Sequence, residues 1–272
     1  MAQATCPANA HVVNVDLSGN VRTTTCACDS GYKNSGGVCA PVAALSSECL
    51  DLKDEIDSID EAARRASLAQ DVYSFFDQST QGWLMPSWKA PPGYTLLSNN
   101  IGELRAILPN TSTSAIKALI APDDSGYRAA IYKDDAKGTI FLVFRGTNDA
   151  ADWTQANFPN EAHRWTAYYA RAGILGEMVK RYADANGLQM EIVGHSLGGG
   201  MAIEAGITAK VRTTVFNAET VHATGIVTED DIAGADQWVT DYVTRDEPVS
   251  TAHALILSPD PGKRVDVPGW PG

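Results

Sequence analysis

From about residue 126 onward the chain switches repeatedly between two hydrophobic periods. The stretches "GYRAAIYK" and "GTIFLVFRG" are apolar runs on either side of "DDAKG", and they predict two strands joined by a turn. A long amphipathic stretch from about Trp165 to Ala185, closed by Gly187, predicts a helix. "QMEIVG" then predicts a buried strand. Past Ser196 follow a helix, the strand "VRTTVFNA", the strand-like "QWVTDYVT" and a last strand in "GKRVDVP", residues 262–268. Alternation of this kind predicts an α/β domain, with a mostly parallel central sheet flanked by helices. In such sheets, sites form where the strands end.

Upstream, "LSSECLDLKDEIDSIDEAARRASLAQDVYSFFD" spaces Leu50, Ile56, Ile59, Ala63, Leu68, Val72 and Phe76 at helical intervals among charged residues. Ser58 and Glu61 have the spacing of a capping box, and the apolar positions after them form one core-facing stripe. The Pro- and Trp-rich segment from Gln81 to Tyr94 reads as an irregular connection. The change in composition ahead of this helix divides the chain into a cysteine-rich module, residues 1–44, and an α/β domain, residues 45–272.

A length of 272 residues suffices for one large domain and a small appendage. A formal charge of −12 argues against nucleic acid, which binds mainly through Lys and Arg, and against anionic membrane surfaces. No apolar run approaches the roughly 18 to 20 residues of a transmembrane segment. "MAQAT" has no basic or apolar leader, while "AQA" has the residue types of a signal-peptidase site, so a mature exported form is expected. All five cysteines lie within the first 49 residues, at Cys6, Cys26, Cys28, Cys39 and Cys49. Their spacing is poor for zinc, so no metal is expected. Disulfides fit better and imply a secreted, periplasmic or extracellular location.

The chemistry concentrates in "EIVGHSLGGGMA", residues 191–202, where Gly194-His195-Ser196-Leu197-Gly198 sits between a predicted strand and a predicted helix. That is the context of a nucleophile elbow: a sharp turn lifts the serine hydroxyl above the sheet, and the helix amides that follow can hold an oxyanion. The bland alternative is a polar residue in a glycine-rich turn.

Together, "VFRGT" at 143–147, "DW" at 152–153, "GHSLGGGMA" at 194–202 and "FNA" at 216–218 resemble the class 3 lipase family of α/β-hydrolases, over roughly residues 60–267. The resemblance implies an α/β-hydrolase fold. It also implies that Thr147 and the Leu197 amide face the oxyanion, and that Asp152 and Trp153 tie down the start of a lid. Arg145 reads as a paired structural residue beneath the elbow. Trp153, Phe158, Trp165, Tyr168 and Tyr169 are to be shared between the core and a short lid or an acyl-chain wall. The family places its carboxylate near "YVTRDEPVS", where Asp246 and Glu247 compete. Serine, acid, histidine is the chain order of this fold. Of His11, His163, His195, His222 and His253, only His253 follows the acid. His253 is then the base from an unusual position, or the base lies on a C-terminal segment beyond this chain.

Separately, "CACDSGYKNSGGVC" resembles the C-terminal half of an EGF-like module. That resemblance implies bridges Cys28 to Cys39 and Cys6 to Cys26, with Cys49 left over. The expected function is a serine carboxylester hydrolase, a lipase, phospholipase or esterase, acting on a small-molecule or lipid ester at a lipid interface and without a cofactor. The alternative is a non-catalytic secreted binding or adhesion protein with an inert hydrolase fold. An acyltransferase or peptidase would use the same triad.

Overall fold

The computed structural model describes residues 6, 8–18, 21–29, 32–35, 38–41, 47–79, 83–123, 125–146, 167–219, 221, 226–244 and 261–267. The chain forms two compact units, Met1–Asp60 and Glu61–Gly272. Residues 42–46, around the boundary expected from composition, lie outside the described residues.

In the first unit, β1 (Ala10–Ser18) pairs antiparallel with β2 (Val21–Cys28), with one irregularity of register between Val12 and Asn14. A second hairpin pairs β3 (Tyr32–Ser35) with β4 (Val38–Pro41). Bridges join Cys6 to Cys26 and Cys28 to Cys39, the pairing that the EGF-like resemblance implies. Cysteine spacing alone does not anticipate the hairpins. The signal lay in Val13, Val15 and Leu17, which alternate ahead of Ser18-Gly19-Asn20.

Helix α1 (Ser47–Gln78) runs without a break from the first unit into the second. Ser58 and Glu61, expected to cap it, therefore lie in its interior, and Glu61 instead accepts hydrogen bonds from Arg65 at 3.2 Å. The expected stripe holds from Leu68 onward, where Leu68, Val72 and Phe76 are buried together with Ala69 and Phe75, whereas Ile56, Ile59 and Ala63 are exposed because the helix packs on the core only over its C-terminal part.

The second unit is built on a seven-stranded sheet. Its strands are β5 (Tyr94–Leu96), β6 (Ala129–Asp134), β7 (Thr139–Phe144), β8 (Gln189–His195), β9 (Arg212–Phe216), β10 (Val239–Thr244) and β11 (Lys263–Val267), adjacent in that order. β5, β6 and β7 pair antiparallel, and every pairing from β7 to β11 is parallel. The turn between β6 and β7 forms because Asp134 Oδ1 accepts from the Ala136 and Lys137 amides, both at 3.0 Å, and Gly138 takes a φ of 63°. Every residue of β7 is buried, as a central strand covered on both faces should be.

Helices α2 (Ile101–Ile107) and α3 (Thr113–Ile120), capped by Asn100 and Ser112, were not singled out in the sequence. Helix α4 (Ala167–Ala185) precedes β8, α5 (Leu197–Ala209) joins β8 to β9, and a short α6 (Glu229–Ala233) precedes β10. Tyr168 and Tyr169 of α4 are core residues.

Which helix covers which face follows from β8. Arg65 donates to Glu191 near the start of this strand at 2.6 and 3.0 Å, and Tyr73 meets His195 at its end. Eight residues of helix advance about 12 Å, and four residues of strand about 13 Å. Helix α1 thus runs parallel to β8, over the face that carries Glu191 and His195. Gly194 points to the opposite face, where a Cβ would stand 2.1 Å from the Gly198 carbonyl oxygen, so α5 covers that side. A mostly parallel sheet with helices on both faces, and a sharp strand-to-helix turn at the end of β8, is the α/β-hydrolase fold.

Candidate active site

Three parallel strands finish side by side, with Phe144 level with Gly194 and His195 level with Phe216. Ser196 follows at the turn into α5 with φ 56° and ψ −129°. A non-glycine residue in this region costs on the order of 1–3 kcal/mol and persists only where its surroundings over-determine it. Here they do. The Ser196 amide donates to the Phe216 carbonyl at 3.1 Å, and the Ser196 carbonyl accepts from Gly199, Gly200 and Glu219 at 2.8, 3.2 and 3.0 Å. A Cβ on Gly198 would stand 2.4 Å from the Phe144 carbonyl oxygen, so only glycine lets the helix start this close to β7.

Leu197 is the first residue of α5, and its amide has no acceptor within the helix, as the geometry of helix starts requires. Beside it, Gly146 ends the described part of the "RGT" segment, and a Cβ there would lie 3.3 Å from Ser196 Cβ. Arg145 is buried, pairs with Asp77 at 3.6 Å and donates to the Gly126 carbonyl at 3.1 Å, in keeping with its structural reading.

Ser196 and His195 line a cavity of about 610 Å³. Ala66, Ala69 and Phe216 give it apolar surface, while Gln70, Tyr73 and Asp77 add polar groups. A wall of mixed character suits a ligand with both an apolar and a polar part. Ring stacking on Tyr242, with centroids 5.6 Å apart, holds Phe216 in place.

The sequence of residues 64–256 matches the family described as a Tle-like phospholipase domain. The chain belongs to the Tle-like phospholipase family. Among curated proteins, the "Extracellular phospholipase A1" of Serratia liquefaciens is 31% identical over 153 residues, which are 56% of this chain. The chain spans only 40% of that relative's length. Solved structures similar to this chain include the Rhizomucor miehei triacylglyceride lipase, at 13% identity, 78% of this chain, 80% of that one and a TM-score of 0.49. Another is the Lip2 lipase of Yarrowia lipolytica, at 17% identity, 79% of this chain, 80% of that one and a TM-score of 0.46.

Within this Tle-like phospholipase match lie all the residues singled out for the site: Thr147, Ser196, Leu197, Asp246, Glu247 and His253. Ser196 and Leu197 come together at the elbow. Thr147, Asp246, Glu247 and His253 lie outside the described residues, as do Asp152, Trp153, Phe158, His163, Trp165 and His222. The family match begins at residue 64 and does not reach the cysteine-rich segment. Tyr73 is the site residue that the sequence did not disclose: it sits in the apolar stripe of α1, and only the fold brings it to His195, 122 residues away. Among the described residues, no helix is long and apolar enough to cross a membrane.

Proposed function

We propose that the chain is an exported serine carboxylester hydrolase that cleaves an acyl ester of a phospholipid through an acyl-enzyme on Ser196. The observation that carries this reading is the strained Ser196 backbone at a strand-to-helix turn, over a cavity with apolar and polar walls. Membership of the Tle-like phospholipase family supports the phospholipid substrate, and the two disulfides support export.

In this reading Ser196 Oγ attacks the acyl carbonyl and its proton passes to the base, for which His253 is the candidate. Asp246 or Glu247 orients the imidazole. The Leu197 amide and Thr147 hold the tetrahedral oxyanion, each such donor being worth about 3 to 4 kcal/mol. The alcohol half leaves with the proton, and water then releases the fatty acid. No step calls for a cofactor.

A fluorophosphonate probe together with fatty-acid release from phosphatidylcholine vesicles tests the proposal. Wild type is expected to react in both assays and Ser196→Ala in neither. A wild-type chain that resists the probe would overturn the reading and favour an inert binding module.

A further inference from the structure

We infer that Tyr73 is a positioning residue of this site: its hydroxyl fixes the spacing between the elbow and the end of β7. The inference rests on the proposed role of Ser196.

Tyr73 Oη lies 3.1 Å from His195 Nδ1, and the two rings meet edge to face with centroids 5.9 Å apart. His195 immediately precedes Ser196, so a fixed imidazole restrains the chain entering the strained turn. The same phenol oxygen also fills the space beside Gly146, just past the end of β7. A Cβ on Gly146 would stand 2.1 Å from Tyr73 Oη and 2.6 Å from the His195 carbonyl oxygen. Tyr73 Oη, the Gly146 backbone and the His195 backbone therefore converge at one point, beside the nucleophile.

The helix that carries Tyr73 cannot readily slide. Two turns earlier, the paired hydrogen bonds of Arg65 to Glu191 anchor α1 to the same strand that ends in the elbow. The helix thus acts as a rigid gauge, one end tied to the start of β8 and the other wedged between its end and that of β7. Catalysis by fixed oxyanion donors depends on this spacing, since a misplacement of about 1 Å can cost about 100-fold in rate.

The test is Tyr73→Phe, which keeps the ring and its packing and removes one oxygen. On a soluble short-chain ester, kcat is expected to fall about 10- to 100-fold with KM within about twofold. The rate of fluorophosphonate labelling should fall with kcat, and the thermal midpoint should hold. His195→Phe should produce a similar loss, and the double variant should be no slower than the slower single variant, because both remove the same contact. Wild-type kcat in Tyr73→Phe would overturn the inference. So would losses that multiply in the double variant, or a lowered midpoint with an unchanged labelling rate, which would make Tyr73 merely structural. The probe separates the two levels of the argument. An unreactive wild type overturns the proposed function and this inference together, whereas a reactive wild type matched by Tyr73→Phe overturns this inference alone.

Discussion

Ser196 is the one residue of the elbow whose backbone works against its own side chain. Glycine tolerates a positive φ without steric cost, so the conformation at φ 56° predicts opposite effects for two small substitutions. Ser196→Ala removes the hydroxyl and keeps the strain, so its midpoint should stay within a degree or two of wild type. Ser196→Gly removes the strain and should be more stable by about 1 kcal/mol, after the extra freedom glycine gives the unfolded chain is subtracted. Both should be inactive, and calorimetry of the two distinguishes them; a Ser196→Gly variant less stable than Ser196→Ala would refute the strain argument. Gly198 is constrained in the reverse sense. A Cβ there meets the Phe144 carbonyl oxygen at 2.4 Å and the Gly146 amide nitrogen at 2.8 Å, both backbone atoms that cannot rotate away. Gly198→Ala should therefore cost at least about 2 kcal/mol and most of the activity, read by denaturant titration and ester hydrolysis.

Helix α1 joins the elbow to an ionic cluster at the far end of β8. Arg65 is almost fully buried and is held by Glu191 and Glu61, so removing it leaves Glu191 with only the more distant Arg212, at 3.9 Å, as an ion-pair partner among the described residues. Arg65→Met should destabilise by about 3 kcal/mol, and pairing it with Glu191→Met should recover most of the loss, because a buried charge without its partner costs more than neither charge. Urea titration of the three variants measures this. The cluster also sets a pH dependence. Burial raises the Glu61 carboxyl pKa, but Arg65, Arg212 and Lys137 outweigh it and hold the carboxyl below its ordinary value of 4.5. A carboxylate depressed in the folded state contributes stability above that ordinary value and loses it as pH falls through the folded one. Wild type should therefore weaken below about pH 4.5 more steeply than Arg65→Met, in midpoints compared across pH. The elements themselves were largely legible, because β7, β8 and α4 carry long apolar periods that leave little choice. The continuity of α1 through Ser58 was not, since cap-like residues also fit a helix interior when a side chain such as Arg65 engages them.

At the scale of the whole molecule, each of the two units is held in shape by its own means. The elbow could be read from "GHSLG" because its requirements are local: a strand before, a helix after, and glycines where backbones touch. The Tyr73 contact could not, because it joins residues that only the assembled sheet brings together. The bridges follow from the EGF-like resemblance of "CACDSGYKNSGGVC", whereas the hairpins they fasten carry a signal only in the alternation of Val13, Val15 and Leu17. The same contrast governs how the units should respond to reduction. The first unit has two bridges and exposed Val13 and Val38, so its order depends on the cross-links. The second has no cysteine and rests on a continuous core running from Leu68 to Val239. Before reduction, thiol titration should find at most one group out of five cysteines, since four are bridged. After reduction and alkylation, limited proteolysis should open residues 1–60, while the fluorophosphonate labelling rate at Ser196 stays within about twofold. Ser196 sits on a sheet whose parallel pairings, buried strands and elbow glycines contain no cysteine, so breaking the cross-links removes nothing that shapes the turn. A labelling rate that collapses on reduction would mean that the elbow depends on the cysteine-rich unit for its geometry.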